Sequence, residues 1–276
     1  MLVFERGTLE LWTGIVIISL LGAAALFAPF LSTHDPFRTN PENWLCPPCK
    51  EHLFGTDRLG RDLFSRVLYG GRFSMAVGCL SMLLSVGIGL CAGLTAGSYG
   101  GIVDETVMRL TDIVLVFPTM LLVLSLIALF EPEPWMVVLV IGGTGWPGIA
   151  RLVRGEVLQL KETEFVSSAR MLGAGRFRII RYHLLPNAVA PVLVAATLCV
   201  PAAIMMEAGL GYFGVGVQPP VPTWGNMLRE AQLYLRHAWW YAFFPGLFLF
   251  LTVFGFQLTG EGLRKKWGLS PSVRRG

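Results

Sequence analysis

Three sets of residues in this chain have the types and spacing to do chemistry. The first is Cys46-Pro-Pro-Cys49, which holds two thiols three positions apart. In an oxidising compartment the pair can close a local disulfide across the Pro-Pro turn, provided the turn geometry allows it. It could also form half of a metal site, with His34, Asp35 or His52 as further donors. A thioredoxin-like redox site would need a strand and a helix around it, and the flanking sequence supplies neither. The expectation is a structural role for Cys46 and Cys49, free or bridged, and no bound metal. The second set is Met205, Met206 and Glu207, at the outer end of an apolar run. An ionisable residue near membrane depth is a functional candidate, so these three are the candidate substrate-path residues. The competing reading has Glu207 hydrogen-bonded structurally beside the Gly-rich turn that follows. The third set is Arg109 and Asp112, whose spacing puts them on one helix face as a paired anchor or a proton relay.

Other chemistries lack their residues. There is no G-x-x-x-x-G-K-[ST] phosphate loop, so the chain is not expected to hydrolyse ATP by itself. No metal-ligand cluster or nucleophile–base pair falls at helical spacing inside an apolar run, which argues against an enzyme. The net charge of +4 is unevenly spread and forms no basic stripe with interleaved aromatics, so nucleic acid is not an expected partner.

The elements that must position these residues are membrane helices. With 54% hydrophobic and 14% charged residues and a mean hydropathy of +0.60, the chain is too apolar for an ordinary soluble domain. The fold class expected is all-α integral membrane, with the lipid bilayer as solvent. Charge-free runs locate six transmembrane helices: Leu11 to Thr33, Phe73 to Tyr99, Ile113 to Phe130, Trp135 to Ala150, Leu184 to Met206 and Ala238 to Gly260. The first run is long for a cleaved signal peptide, so a retained helix is expected. The fourth is short, and Arg151 and Arg154 are expected to snorkel at its end. Pro118 is placed to bend the third. In the second, Gly89, Gly93 and Gly97 recur every four residues, the spacing of close helix contact. Cys79, Cys91 and Cys199 fall in spans as packing residues, and Trp239, Trp240 and Tyr241 read as an interfacial belt.

Lysine and arginine counts set the orientation. The loop from Arg151 to Pro186 carries seven basic residues and the tail after Gly260 carries five. Both are expected on the cytoplasmic side, together with the N-terminus. The segment from His34 to Arg72 then falls outside. Within it, the apolar residues from Leu59 to Leu68 share a helical face, predicting a short interfacial helix capped by Asp57. The Arg151 to Pro186 loop is longer than a connector needs to be. One helical piece runs to about Leu172, a break follows at Gly173 and Gly175, and a second piece runs from Phe177 to Leu185, ending before Pro186. A cationic helix–turn–helix hung from two spans suits a soluble partner.

That loop carries a resemblance. Ser167-Ser-Ala-x3-Gly173, nine residues, then His183-x-Leu-Pro186 resembles the EAA loop of membrane subunits of ATP-binding-cassette importers. The strings HLFGTDRLGRDLFSR (His52 to Arg66), EAGLGYFGVG (Glu207 to Gly216) and QPPVPTWGNML (Gln218 to Leu228) are similar to the dipeptide, oligopeptide and nickel branch, second permease type. The resemblance implies a subunit of a bacterial or archaeal cytoplasmic membrane importer. Its implied partners are a homologous permease subunit, two cytoplasmic ATPase subunits that bind ATP and Mg, and an extracytoplasmic solute-binding protein; no cofactor is implied on this chain. The implied coupling residues are Glu164, Phe165, Ser167, Ser168, Ala169, Arg170, Gly173, Ala174, His183 and Pro186. Ser167 stands where the pattern has Glu, which shifts any charged contact to Glu164 or Arg170. Residues 1–72 would be an N-terminal helix plus outer segment, and 73–276 a five-helix permease core. The cargo implied is small peptides, with nickel or a metal chelate as the alternative. A stand-alone secondary transporter or channel would instead need an internal repeat or mid-span charges.

Overall fold

The computed structural model describes residues 2–130 and 133–268, with side chains from residue 7 onward. Glu131, Pro132, Arg274 and Arg275 lie outside the described residues. In chain order the helices are α1 (Leu2–Leu26), α2 (Ala28–Leu31), α3 (Leu63–Tyr99), α4 (Gly101–Val116), α5 (Thr119–Ala128), α6 (Pro134–Lys161), α7 (Glu164–Met171), α8 (Arg176–Ile179), α9 (Leu185–Phe213), α10 (Trp224–Ala231) and α11 (Trp239–Lys266). Five helical stretches are long and apolar enough to cross a membrane, and α4 with α5, bent by 85°, makes a sixth if it is one span. The bend falls at Phe117 and Pro118, where the chain turns extended before α5.

The long helices run between two ends of a bundle. α3 is the central one. It crosses α6 along the predicted glycine row: a Cβ on Gly93 would sit 2.6 Å from the Ala150 carbonyl oxygen and from Val153 Cβ. Any side chain there would push the two backbones apart, so the row is a packing surface, as its spacing predicts. On another face α3 meets α9 through Gly78 against Ile204 and Val200. α1 lies along α11, with Gly14 against Gly255 and Thr259, and Lys265 Nζ donates to Glu10 Oε2 at 2.5 Å. The start of α1 and the end of α11 therefore meet at one end of the bundle.

Three expectations about boundaries are corrected. The amphipathic stretch after Asp57 is not a separate interfacial helix. Residues 57–62 form a tight turn closed by an isolated bridge between Thr56 and Asp62, and Leu63 onward is already α3. The cap is Asp62, whose side chain accepts from Ser65 N–H at 2.8 Å, so a domain boundary at residue 72 would cut a continuous helix. At the other end, the second piece of the 151–186 loop does not stop before Pro186. α8, a π turn over Ile180–Leu184 and α9 run as one 38-residue helix from Arg176 to Phe213. The π turn, with Leu185 N–H bonding the Ile180 carbonyl, inserts a residue just ahead of the proline and lets the helix pass through it.

Candidate functional site

α7 is a short helix at the end of the bundle where α6 stops and the helix through α8 and α9 begins. Thr163, extended, starts it, and Val166 fastens it. Val166 is fully buried in a cluster with Ile149, Val153, Val157, Ile179, Leu184 and Val192, so one valine docks α7 on both flanking spans. The helix then ends in a Schellman turn. Ala174 N–H reaches Ala169 O at 3.1 Å and Gly173 N–H reaches Arg170 O at 3.0 Å, while Gly173 takes φ +80°. Among the described residues other than its chain neighbours, nothing lies within 4 Å of where a Gly173 Cβ would stand. The glycine is there for its backbone angle, with its open side facing away from the bundle.

Of the predicted coupling residues, Glu164, Phe165, Ser167, Ser168, Arg170, Gly173 and Pro186 are exposed. Ala169, Ala174 and His183 are half-buried. The Phe165 and His183 rings face each other with centroids 6.1 Å apart, tying the first turn of α7 to the π turn. Sequence reasoning missed Val166, whose signal was a lone β-branched residue in a polar helix, and it missed the apolar rim. Met171, Leu172 and Phe177 are each at least 80% exposed beside Arg170, Arg176 and Arg178. Bare apolar side chains ringed by cations thus stand at the tip of the helical hairpin, an exposed patch of the kind that marks interaction surfaces.

The base of this hairpin is bolted by charges. Arg154 grips Asp104 through two bonds, Nε to Oδ1 at 2.5 Å and Nη2 to Oδ2 at 2.6 Å. Arg151 Nη2 donates to Asp112 Oδ1 at 2.5 Å, and Lys161 Nζ donates to the Gly97 and Ser98 carbonyls that end α3. These contacts correct two expectations. Arg151 and Arg154 pair with α4 instead of reaching for headgroups, and Asp112 is taken by Arg151, leaving Arg109 with Glu105 at 3.7 Å. Arg176 adds a cation–π contact over Tyr99, 5.4 Å from the ring centroid.

The opposite end carries a polar cap. Fully buried Asp57 accepts from Leu59 N–H, from Arg61 N–H and from Arg61 Nε at 2.6 Å, and Arg66 Nε lies 3.3 Å away. Arg61 Nη2 continues to Glu230 Oε2 at 3.1 Å, which also accepts from Tyr241 O–H at 2.5 Å. Trp224 Nε1 donates to Val67 O, and the Thr223–Asn226 capping box starts α10. Trp240 and Tyr241 are buried in this cap, and of the three expected belt aromatics Trp239 alone is exposed. Glu207, 1% exposed, points at α3, where Ser74 Oγ donates to its Oε2 at 2.8 Å. Met205 is 52% exposed, and Met206 lines a narrow cavity with Ser85, Thr119, Thr144 and Cys199. The structure therefore does not bring these three side chains to one site. Cys46 and Cys49 are free thiols. Burial, and then the neighbouring Cys49, push the Cys46 thiol above its ordinary value, and Cys49 Sγ accepts from His52 N–H at 3.3 Å. Cys79 and Cys199 are half-buried in the bundle and Cys91 is exposed.

Residues 89–266, from the α3 glycine row to the end of α11, match the model of the binding-protein-dependent transport system inner membrane component family. The chain belongs to this family. It is 41% identical over 261 residues to the dipeptide transport system permease protein DppC of Alkalihalophilus pseudofirmus, covering 95% of this chain and 85% of that one. It is 40% identical to the oligopeptide transport system permease protein OppC of Bacillus subtilis, covering 100% and 89%. Among solved structures, an inward-facing MetNI methionine ABC transporter chain superposes with a TM-score of 0.60 at 22% identity, covering 71% of this chain and 93% of that one. That likeness carries the fold. As a binding-protein-dependent permease of the inner-membrane type, this all-helical chain is a multi-pass membrane component of an importer.

Proposed function

We propose that this permease forms, with a homologous permease subunit, the translocation path of an ATP-driven importer of small peptides. The peptide cargo rests on the dipeptide and oligopeptide permeases that it resembles over nearly its full length. The observation that carries the mechanism is the hairpin tip. An exposed helix, held by Val166 to two spans and continuous through the π turn with α9, is built to hand a partner's movement to the bundle. That partner is an ATPase subunit, with ATP and Mg bound on its side and no cofactor on this chain.

Glu164, Phe165, Ser167, Ser168 and Arg170 present the contact face, and Gly173 sets the turn. Ala169 and Ala174 keep that turn thin enough to enter a groove. Cargo enters at the polar cap, where an extracytoplasmic solute-binding protein docks. The hairpin, the start of α1 and the end of α11 lie in the cytoplasm. Movement of the hairpin shifts the bundle between two arrangements that open to either side.

Uptake of a labelled dipeptide by cells carrying the chain, compared with cells lacking either this subunit or its ATPases, tests the reading. Uptake lost in both deletions is expected. Uptake that persists without the ATPases would overturn it.

A further inference from the structure

The outer cap holds a donor cluster apart from the hairpin and from Glu207. One ring nitrogen of His34, one ring nitrogen of His52 and a carboxylate oxygen of Asp62 all lie within 4.8 Å of one another. They come from three different segments: the turn after α2, the loop before α3 and the cap residue of α3. We propose that His34, His52 and Asp62 form a binding site for a borderline divalent transition metal of the Zn2+ class, which staples these segments together.

The distances suit such an ion. Zn–N and Zn–O bonds of about 2.0–2.2 Å in a tetrahedron place neighbouring donors roughly 3.3 Å apart. Asp62 Oδ1 stands 2.9 Å from His52 Nδ1 and 3.7 Å from His34 Nδ1, on either side of that spacing. The two imidazole rings lie 4.7 Å apart, centroid to centroid. A small rotation of His34, whose side chain is 44% exposed, completes the triangle.

The surrounding contacts orient the donors. Asp62 Oδ2 is held by Ser65 N–H at 2.8 Å and Ser65 Oγ at 2.7 Å, with Thr33 Oγ1 at 3.3 Å, which turns Oδ1 toward both histidines. The far nitrogen of His52, Nε2, lies 3.2 Å from the Asn43 side-chain amide. With that amide rotated by half a turn, its oxygen accepts the Nε2–H that a metal-bound Nδ1 requires, the outer support metal-binding histidines depend on. Asp62 and His52 are buried, whereas His34 is at the rim of a recess of about 300 Å3 that Asp35 and Glu51 also line. Three protein donors and one position open to that recess select metals that accept imidazole nitrogen, and disfavour Mg2+ and Ca2+, which prefer all-oxygen shells.

The test uses the full chain purified with its copurifying subunits, stripped with a chelator and titrated with Zn2+ alone. His34→Gln is the variant, because His34 is the exposed member and its loss leaves the His52–Asp62 contact in place. The wild type is expected to bind one Zn2+ more per copy of this chain than H34Q, or the same ion at least tenfold more tightly. Zn2+, and not Mg2+, should raise the melting temperature of the wild type and leave that of H34Q unmoved. Equal binding by wild type and H34Q overturns the site. Binding lost in a Cys46→Ser, Cys49→Ser variant and kept in H34Q also overturns it, and assigns the metal to the cysteine pair.

Discussion

Arg154 holds both carboxylate oxygens of Asp104, a residue fifty positions earlier, in a two-pronged bond that fixes the start of α4 to the last third of α6. Both side chains are partly exposed, so the pair is worth about 1 kcal/mol, at the upper end for surface pairs because the geometry is bidentate. Arg154→Lys should lose most of that, since an ammonium cannot reproduce the fork. A double-mutant cycle with Asp104→Asn on thermal unfolding of the purified subunit measures the coupling, and additive effects would show the bond to be inert.

Gly173 should tolerate substitution by rules of backbone angle and not of space. At φ +80°, Gly173→Ala costs about 1 kcal/mol and Gly173→Asn less, because Asn enters the left-handed region more readily. We expect uptake in the order Gly, Asn, Ala, Val at matched expression. Gly173→Arg should insert normally yet split ATP hydrolysis from uptake, because its bulk projects from the open side of the turn. Normal uptake by a stably expressed G173R would remove the hairpin from the coupling path.

Val166→Ala removes the one fully buried contact of α7 and should cost roughly 1–2 kcal/mol of docking. Such a loss is local. Hydrogen exchange over 164–172 should rise severalfold while the spans keep their protection, and equal protection in both proteins would mean that α7 is held by something else.

Asp57→Asn takes the anion from buried Arg66 and one of the two anions from buried Arg61, which keeps Glu230. Breaking one side of a buried ion network typically costs about 3–5 kcal/mol, so this variant should melt well below the wild type or fail to accumulate. Asp35→Asn, at an exposed carboxylate of the same outer segment, should change little. Equal melting of the Asp57 and Asp35 variants would show that the network adds no stability.

Cys46 should resist alkylation at neutral pH. Its raised thiol pKa lowers the thiolate fraction there, so its reaction with a small alkylating reagent should grow as pH rises. Peptide mapping after labelling at pH 7 and pH 9 separates Cys46 from the exposed Cys49, and labelling of Cys46 that is independent of pH would contradict the burial.

Much of this was readable in the residues. Charge-free runs located the spans, and the glycine row from Gly89 to Gly97 named its own packing face, because both signals are local and periodic. The cap was not readable. Asp57, Arg61, Glu230 and Tyr241 are far apart in sequence, and the stretch after Asp57 has a helical apolar face although the chain there makes a turn that lets Asp57 bond the backbone at Leu59 and Arg61. Pro186 misled for a similar reason: a proline reads as a stop, and only the π turn before it shows how the helix passes through. Val166 is one valine in a polar octapeptide, with no repeat to mark it. The coupling positions expected from the sequence are exposed or half-buried on the hairpin, and which of them touch a partner depends on a surface outside this chain.

The helix from Arg176 to Phe213 is about 57 Å long at 1.5 Å per residue. Its far end abuts α10, where a Cβ on Gly211 would stand 3.0 Å from the Asn226 nitrogen and 3.1 Å from the Gly225 carbonyl carbon. A rod of fixed length joining the two proposed docking surfaces would make them share one free energy. If a nucleotide-driven pull on the hairpin alters how firmly the outer cap holds its ligand, then occupancy of the outer cap must alter the grip on the hairpin by the same factor. A loaded binding protein would then announce itself across the membrane before any cargo has moved.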